Sequence, residues 1–116
     1  MLKEFDGKVY LFCGKTDLRR GIDGLVKIII DNSLKPDSKA LYLFCGTRRD
    51  RIKGVLWEED GFLLLYKRID NGKFIWPRNS NEAKMLSHDQ YIWLLQGLEI
   101  EQPKAIKKAP KNRDFV

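Results

Sequence analysis

Asp60-Gly61 stands between two runs of strand-forming residues, Ile52-Lys53-Gly54-Val55-Leu56-Trp57 and Phe62-Leu63-Leu64-Leu65-Tyr66. A two-residue loop of that composition predicts a type I′ hairpin, because both central positions of that turn need positive φ. Counting outward from it, Glu59 faces Phe62, Trp57 pairs with Leu64, Val55 with Tyr66 and Lys53 with Arg68. Side chains alternate between the faces of a strand, so Ile52, Leu56, Leu63, Leu65 and Ile69 form an aliphatic core face. The opposite face carries Trp57, Phe62 and Tyr66, with Lys53 and Arg68 at one end. A third strand is expected over Lys73 to Trp76 after the Asp70-Asn71-Gly72 turn, and Pro77, which lacks an N–H, ends it.

The chain has 116 residues, enough for one domain with its own core and too few for two. Its 43% hydrophobic and 33% charged residues match an ordinary globular protein, and no apolar run approaches the roughly 20 residues that span a bilayer. The opening Met-Leu-Lys-Glu-Phe-Asp-Gly has no signal-peptide core, so a cytoplasmic protein is expected. The net charge of +6 is uneven: Lys104, Lys107, Lys108, Lys111 and Arg113 against Asp114 place most of it after Pro103. The expected organisation is a domain over 1–102 and a basic, mobile tail over 103–116 that suits a polyanion or serves as a solvated tail.

Val9 to Cys13 reads as a strand, broken by Gly14-Lys15-Thr16 before a helix expected from about Asp17, with Thr16 as its N-cap. Leu18, Ile22, Leu25, Val26 and Ile29 give that helix a buried stripe, and Arg19, Asp23, Lys27 and Asp31 a ladder of i,i+4 ion pairs. Gly21 and Gly24 each cost such a helix about 1 kcal/mol relative to alanine, which points to close packing or to a later start. Tyr10-Leu11-Phe12-Cys13-Gly14 recurs as Tyr42-Leu43-Phe44-Cys45-Gly46, and strand, helix and similar strand read as a βαβ unit with parallel neighbours. Antiparallel pairing of the two copies stays open. Arg78 to Glu82 reads as a connection, and Ser87 with Gln90 has capping-box spacing for a last helix with Tyr91, Leu94, Leu95 and Leu98 inward and Gly97 closing it. The fold expected is α+β: a mixed or antiparallel sheet of about five strands, with a meander in the C-terminal half, one face packed by two helices.

No catalytic site emerges. Gly14-Lys15-Thr16 lacks the glycine that a phosphate loop needs five positions earlier, where Val9 stands. Glu58, Glu59 and Asp60 are turn carboxylates, and Asp37 and Glu82 fall in polar loops instead of on adjacent strands that could hold magnesium. His88 has no nucleophile or carboxylate at catalytic spacing, and Cys13 and Cys45 sit in apolar runs as buried thiols. With a single histidine no zinc site is expected, nor any cofactor or small-molecule substrate.

The basic residues are the strongest functional signal. Arg48, Arg49, Arg51 and Lys53 lead into the hairpin while Lys67 and Arg68 leave it, so all six are expected at one end of the sheet, with Arg20 added from the first helix region. Such cations supply salt-dependent affinity for phosphates, and exposed rings beside them stack on bases. A competing reading makes Trp57, Phe62, Tyr66 and Trp76 the anchors of a protein-docking patch.

The same residues resemble a known family, the accessory proteins (TnpB, the second open reading frame) of the insertion-sequence-66 family of bacterial transposable elements. The resemblance runs through Val9-Tyr10-Leu11 and Gly14-Lys15-Thr16-Asp17-Leu18-Arg19-Arg20-Gly21-Ile22-Asp23-Gly24-Leu25. It continues in Arg48-Arg49-Asp50-Arg51-Ile52-Lys53, Leu56-Trp57, Asp60-Gly61-Phe62, Tyr66-Lys67-Arg68, Phe74-Ile75-Trp76-Pro77 and Leu94-Leu95-Gln96-Gly97-Leu98. It implies a small protein needed for transposition beside a larger transposase that cuts and joins DNA. It carries no catalytic residues over, and the tail shares nothing with it. DNA and the transposase of the same element are therefore the expected partners.

Overall fold

The two copies of the repeated pentapeptide lie side by side. In a computed structural model describing residues 2–102, β1 (Lys8–Phe12) pairs parallel with β2 (Ala40–Cys45), with Tyr10 beside Tyr42 and Leu11 beside Leu43. Identical residues thus become cross-strand neighbours: the Tyr10 and Tyr42 rings stack at 5.4 Å and those of Phe12 and Phe44 at 4.6 Å. The parallel βαβ expectation holds, with α1 (Ile22–Asp31) as the connecting helix.

The sheet is mixed. β3 (Arg51–Trp57) and β4 (Phe62–Arg68) extend it antiparallel beyond β2, and β5 (Ala83–Leu86) pairs antiparallel with the other side of β1, giving the order β4-β3-β2-β1-β5. The expected strand over Lys73 to Trp76 is instead extended chain without ladder pairing, joined through the Phe74 N–H to the Arg49 carbonyl. It buries Phe74 and Trp76 under the sheet. The fifth strand comes from the residues after the expected connection.

The hairpin is real, but its loop has four residues. Trp57 pairs with Phe62, Val55 with Leu64, Lys53 with Tyr66 and Arg51 with Arg68, two places from the expected register. Positive φ falls on Glu59 (68°) and not on Gly61, and the Glu58 N–H closes the loop on the Gly61 carbonyl. A slip of two keeps every side chain on its expected face, because the strand period is two.

Both faces are covered, which corrects the one-sided packing. Val9, Leu11, Leu41, Leu43 and Ile52 pack with Phe74, Trp76 and α2 (His88–Leu95), while Phe12, Tyr42, Phe44 and Val55 pack with Leu25 and Ile29 of α1. α1 starts at Ile22, with Gly21 at its N-cap, so Asp17 and Thr16 lie outside it. Of the expected ion-pair ladder Lys27–Asp31 forms, at 3.1 Å, and Arg19 turns back to Asp17. The side chain of Arg20 lies across Gly24, within 3.1–3.4 Å of where a Cβ would sit, which is the close packing that glycine permits. α2 begins with the expected capping box of Ser87 and Gln90, and Gly97, at φ 78°, follows its last turn. Residues 103–116, where the basic tail was expected, lie outside the described residues. No helix among the described residues is long and apolar enough to cross a membrane.

Candidate functional site

β1 and β2 run parallel, so both Cys-Gly corners leave the sheet at the same end. Gly14 has φ 82°, and a Cβ there would stand 2.7 Å from Asn81 Oδ1, so the corner requires glycine. The Gly14 N–H bonds the Pro77 carbonyl at 2.8 Å, and the Thr16 N–H bonds the Cys45 carbonyl at 2.9 Å. The half-buried Arg78 guanidinium then donates to the Gly14 carbonyl at 3.2 Å and to the Gly46 carbonyl, bridging the two corners. It satisfies carbonyl dipoles, and no described carboxylate pairs with it. Arg49 and Asp50 are held by their backbones, through Phe74 N–H to Arg49 at 2.7 Å and Ile69 N–H to Asp50 at 2.8 Å.

On this scaffold sits a basin of about 630 Å³ lined by Lys15, Arg48, Arg49, Lys73, Arg78 and Asp50. Arg48 also borders a groove of about 590 Å³ between the Thr16–Arg19 loop and the β3–β4 hairpin. The carboxylates nearby are already engaged. Asp50 accepts from Arg51 at 3.0 Å, which holds its carboxyl below the ordinary value. Asp17 accepts both Nε and Nη2 of Arg19 at 3.0 Å, and that pairing lowers its pKa to about 2. Lys15, Arg48, Arg49 and Lys73 form no ion pair with any described residue. A concave cationic surface of this kind attracts an anion from outside the protein.

The expected contact residues do not all meet. Arg48 and Arg49 are exposed on the rim, and Arg51 stands beside them, locked onto Asp50. Lys53 lies in the groove, donating to the Arg20 carbonyl at 3.0 Å with its ammonium 5.9 Å from the Tyr66 ring centre. Arg68, across from Arg51, belongs to the groove face, whereas Lys67, one residue earlier, points to the opposite face and leaves the set. Arg20 is exposed along the first turn of α1. Lys15, Lys73 and Arg78 were missed. Their signal was the parallel βαβ unit itself, because loops at the carboxyl ends of parallel strands converge on one edge.

The aromatic patch does not form as expected. Trp76 is 3% exposed and its Nε1–H donates to the Phe12 carbonyl at 2.9 Å, so it is a core residue. Trp57 and Phe62 meet edge to face at 4.9 Å and are half-buried, which leaves Tyr66, 55% exposed, as the one open ring of the four. Cys13 and Cys45 are buried free thiols, and burial raises the Cys45 pKa. Among the described residues no group of three or more His, Cys, Asp or Glu could hold a metal ion.

The sequence pattern of the family described as "IS66 Orf2 like protein" matches residues 7–105. Among curated proteins, "Uncharacterized protein y4jC" of Sinorhizobium fredii is 31% identical over 98 residues, covering 84% of this chain and 81% of that protein. "Uncharacterized protein y4hO" of the same organism is 31% identical over 99 residues, covering 84% and 85%. No solved structure matches the chain.

Proposed function

The chain belongs to the family of IS66 Orf2-like proteins, which serve transposition in an accessory role, and from that premise we propose that it does so by holding DNA through the basic rim. The rim engages phosphates with Lys15, Arg48, Arg49 and Lys73, while Arg78 fixes the two loops that present them. Lys53 and Arg68 add positive field along the adjoining groove without a phosphate contact of their own. The protein performs no strand chemistry of its own and works beside the transposase of the same element. The observation that supports this most is that four cations from three loops line one basin and none of them forms an ion pair with a described residue.

Contacts of this kind position a protein on DNA without reading sequence, since phosphate oxygens are the same at every step. With about four phosphate contacts, log K falls against log salt with a slope of about −3.6, so a fourfold rise in salt weakens binding by about a hundredfold. Fluorescence anisotropy on a labelled duplex tests the assignment. Arg48→Ala/Arg49→Ala weakens binding and Lys67→Ala does not. Equal losses from both variants would take the site away from the rim.

A further inference from the structure

The two edges of the sheet are built differently. β5 is four residues long, and Lys84 near its middle pairs with Glu101 at 2.6 Å, a short charged edge of the kind that resists further pairing. β4 closes the other edge with seven residues, Phe62-Leu63-Leu64-Leu65-Tyr66-Lys67-Arg68, and among the described residues no strand lies beyond it. The Ile69 N–H bonds the Asp50 carbonyl and the Glu58 N–H bonds the Gly61 carbonyl. Bonded pairs alternate in an antiparallel ladder, so in between Leu63, Leu65 and Lys67 turn their backbone groups toward β3. Phe62, Leu64, Tyr66 and Arg68 therefore aim theirs outward.

We propose that this free edge pairs antiparallel with the same edge of a second copy of the chain, centred on Leu65, so that one continuous sheet runs through a dimer. The outward set is its own complement about that centre. Phe62 bonds the partner's Arg68, Leu64 bonds the partner's Tyr66, and every outward residue of the strand is used. Charge favours the same partner and direction. Beyond one end of β4 the loop carries Glu58, Glu59 and Asp60, whereas the other end carries Lys67 and Arg68 against Asp70. Antiparallel pairing sets the basic end against the acidic loop, with Arg68 diagonal to the partner's Asp60, within reach of a long side chain. Parallel pairing would set like against like. Leu63, 37% exposed, then lies against the stem of the partner's Lys67.

Sedimentation equilibrium of the full chain over the micromolar range gives the first readout, and a dimer is expected. Tyr66→Pro removes an outward N–H while sparing the β3–β4 ladder, so it weakens the dimer at least tenfold, whereas Tyr66→Ala leaves it. Leu65→Cys places two thiols at the dyad as a non-bonded pair, where the Cα separation of about 4.5 Å admits a disulfide. On mild oxidation it yields a covalent dimer that wild type does not. If Tyr66→Pro fails to fold, the Leu65→Cys cross-link decides alone. A monomer throughout, or a dimer that Leu65→Cys does not cross-link, overturns the proposal.

Discussion

Asp50 and Trp76 show how single side chains decide what the rim and the core can do. Asp50 holds Arg51 by two bonds, at 3.0 and 3.4 Å, and so withholds one guanidinium from the groove. Asp50→Asn releases it: DNA affinity rises and the salt slope steepens by about one, while stability, measured by urea unfolding, moves by less than about 1 kcal/mol because such pairs are worth little. An unchanged slope would mean that Arg51 does not reach a phosphate even when free. Trp76 looks in the sequence like one more exposed aromatic, and only its bond to the Phe12 carbonyl reveals it as a bolt between the extended segment and β1. Trp76→Phe removes that bond together with part of the buried indole and should cost about 2 kcal/mol, read from the urea midpoint. Lys67 fails for a reason that was available earlier. Adjacent residues of a strand face opposite ways, so Lys67 and Arg68 cannot share a surface.

Elements defined by local chemistry were legible, and those defined by distant partners were not. The capping box of α2 is written in Ser87 and Gln90, and both of its bonds form, at 2.9 and 3.1 Å. Ser87→Ala should destabilise the domain by about 1 kcal/mol in thermal or urea unfolding, and a neutral result would mean that the helix is held by Tyr91 and Leu94 packing alone. The repeated pentapeptide correctly announced parallel neighbours. The hairpin register slipped by two because Glu59, rather than a glycine, took the left-handed conformation. β5 was hidden because its four residues are ordered by pairing with β1, more than seventy positions away in the chain. Lys73 to Trp76 imitates a strand because Phe74 and Trp76 alternate inward, yet what it packs against is the sheet's face and not its edge.

At the scale of the whole molecule, the five-stranded sheet sorts its work by direction. α1 and α2 cover opposite faces, and one edge is short and charged. The carboxyl ends of β1 and β2 open onto the basin, where the Gly14 and Gly46 corners and the Arg78 bridge set its shape. Neither the basin nor its lysines could be read from the hairpin that dominates the sequence, since they arise from chain segments brought together by the crossover. The measurement that bears most directly on the proposed role is the salt dependence of duplex binding, wild type beside Arg48→Ala/Arg49→Ala. A log–log slope of about −3.6 that becomes shallower by about two units in the variant is the predicted result. A slope that the two substitutions leave unchanged, or no binding even at low salt, would contradict it.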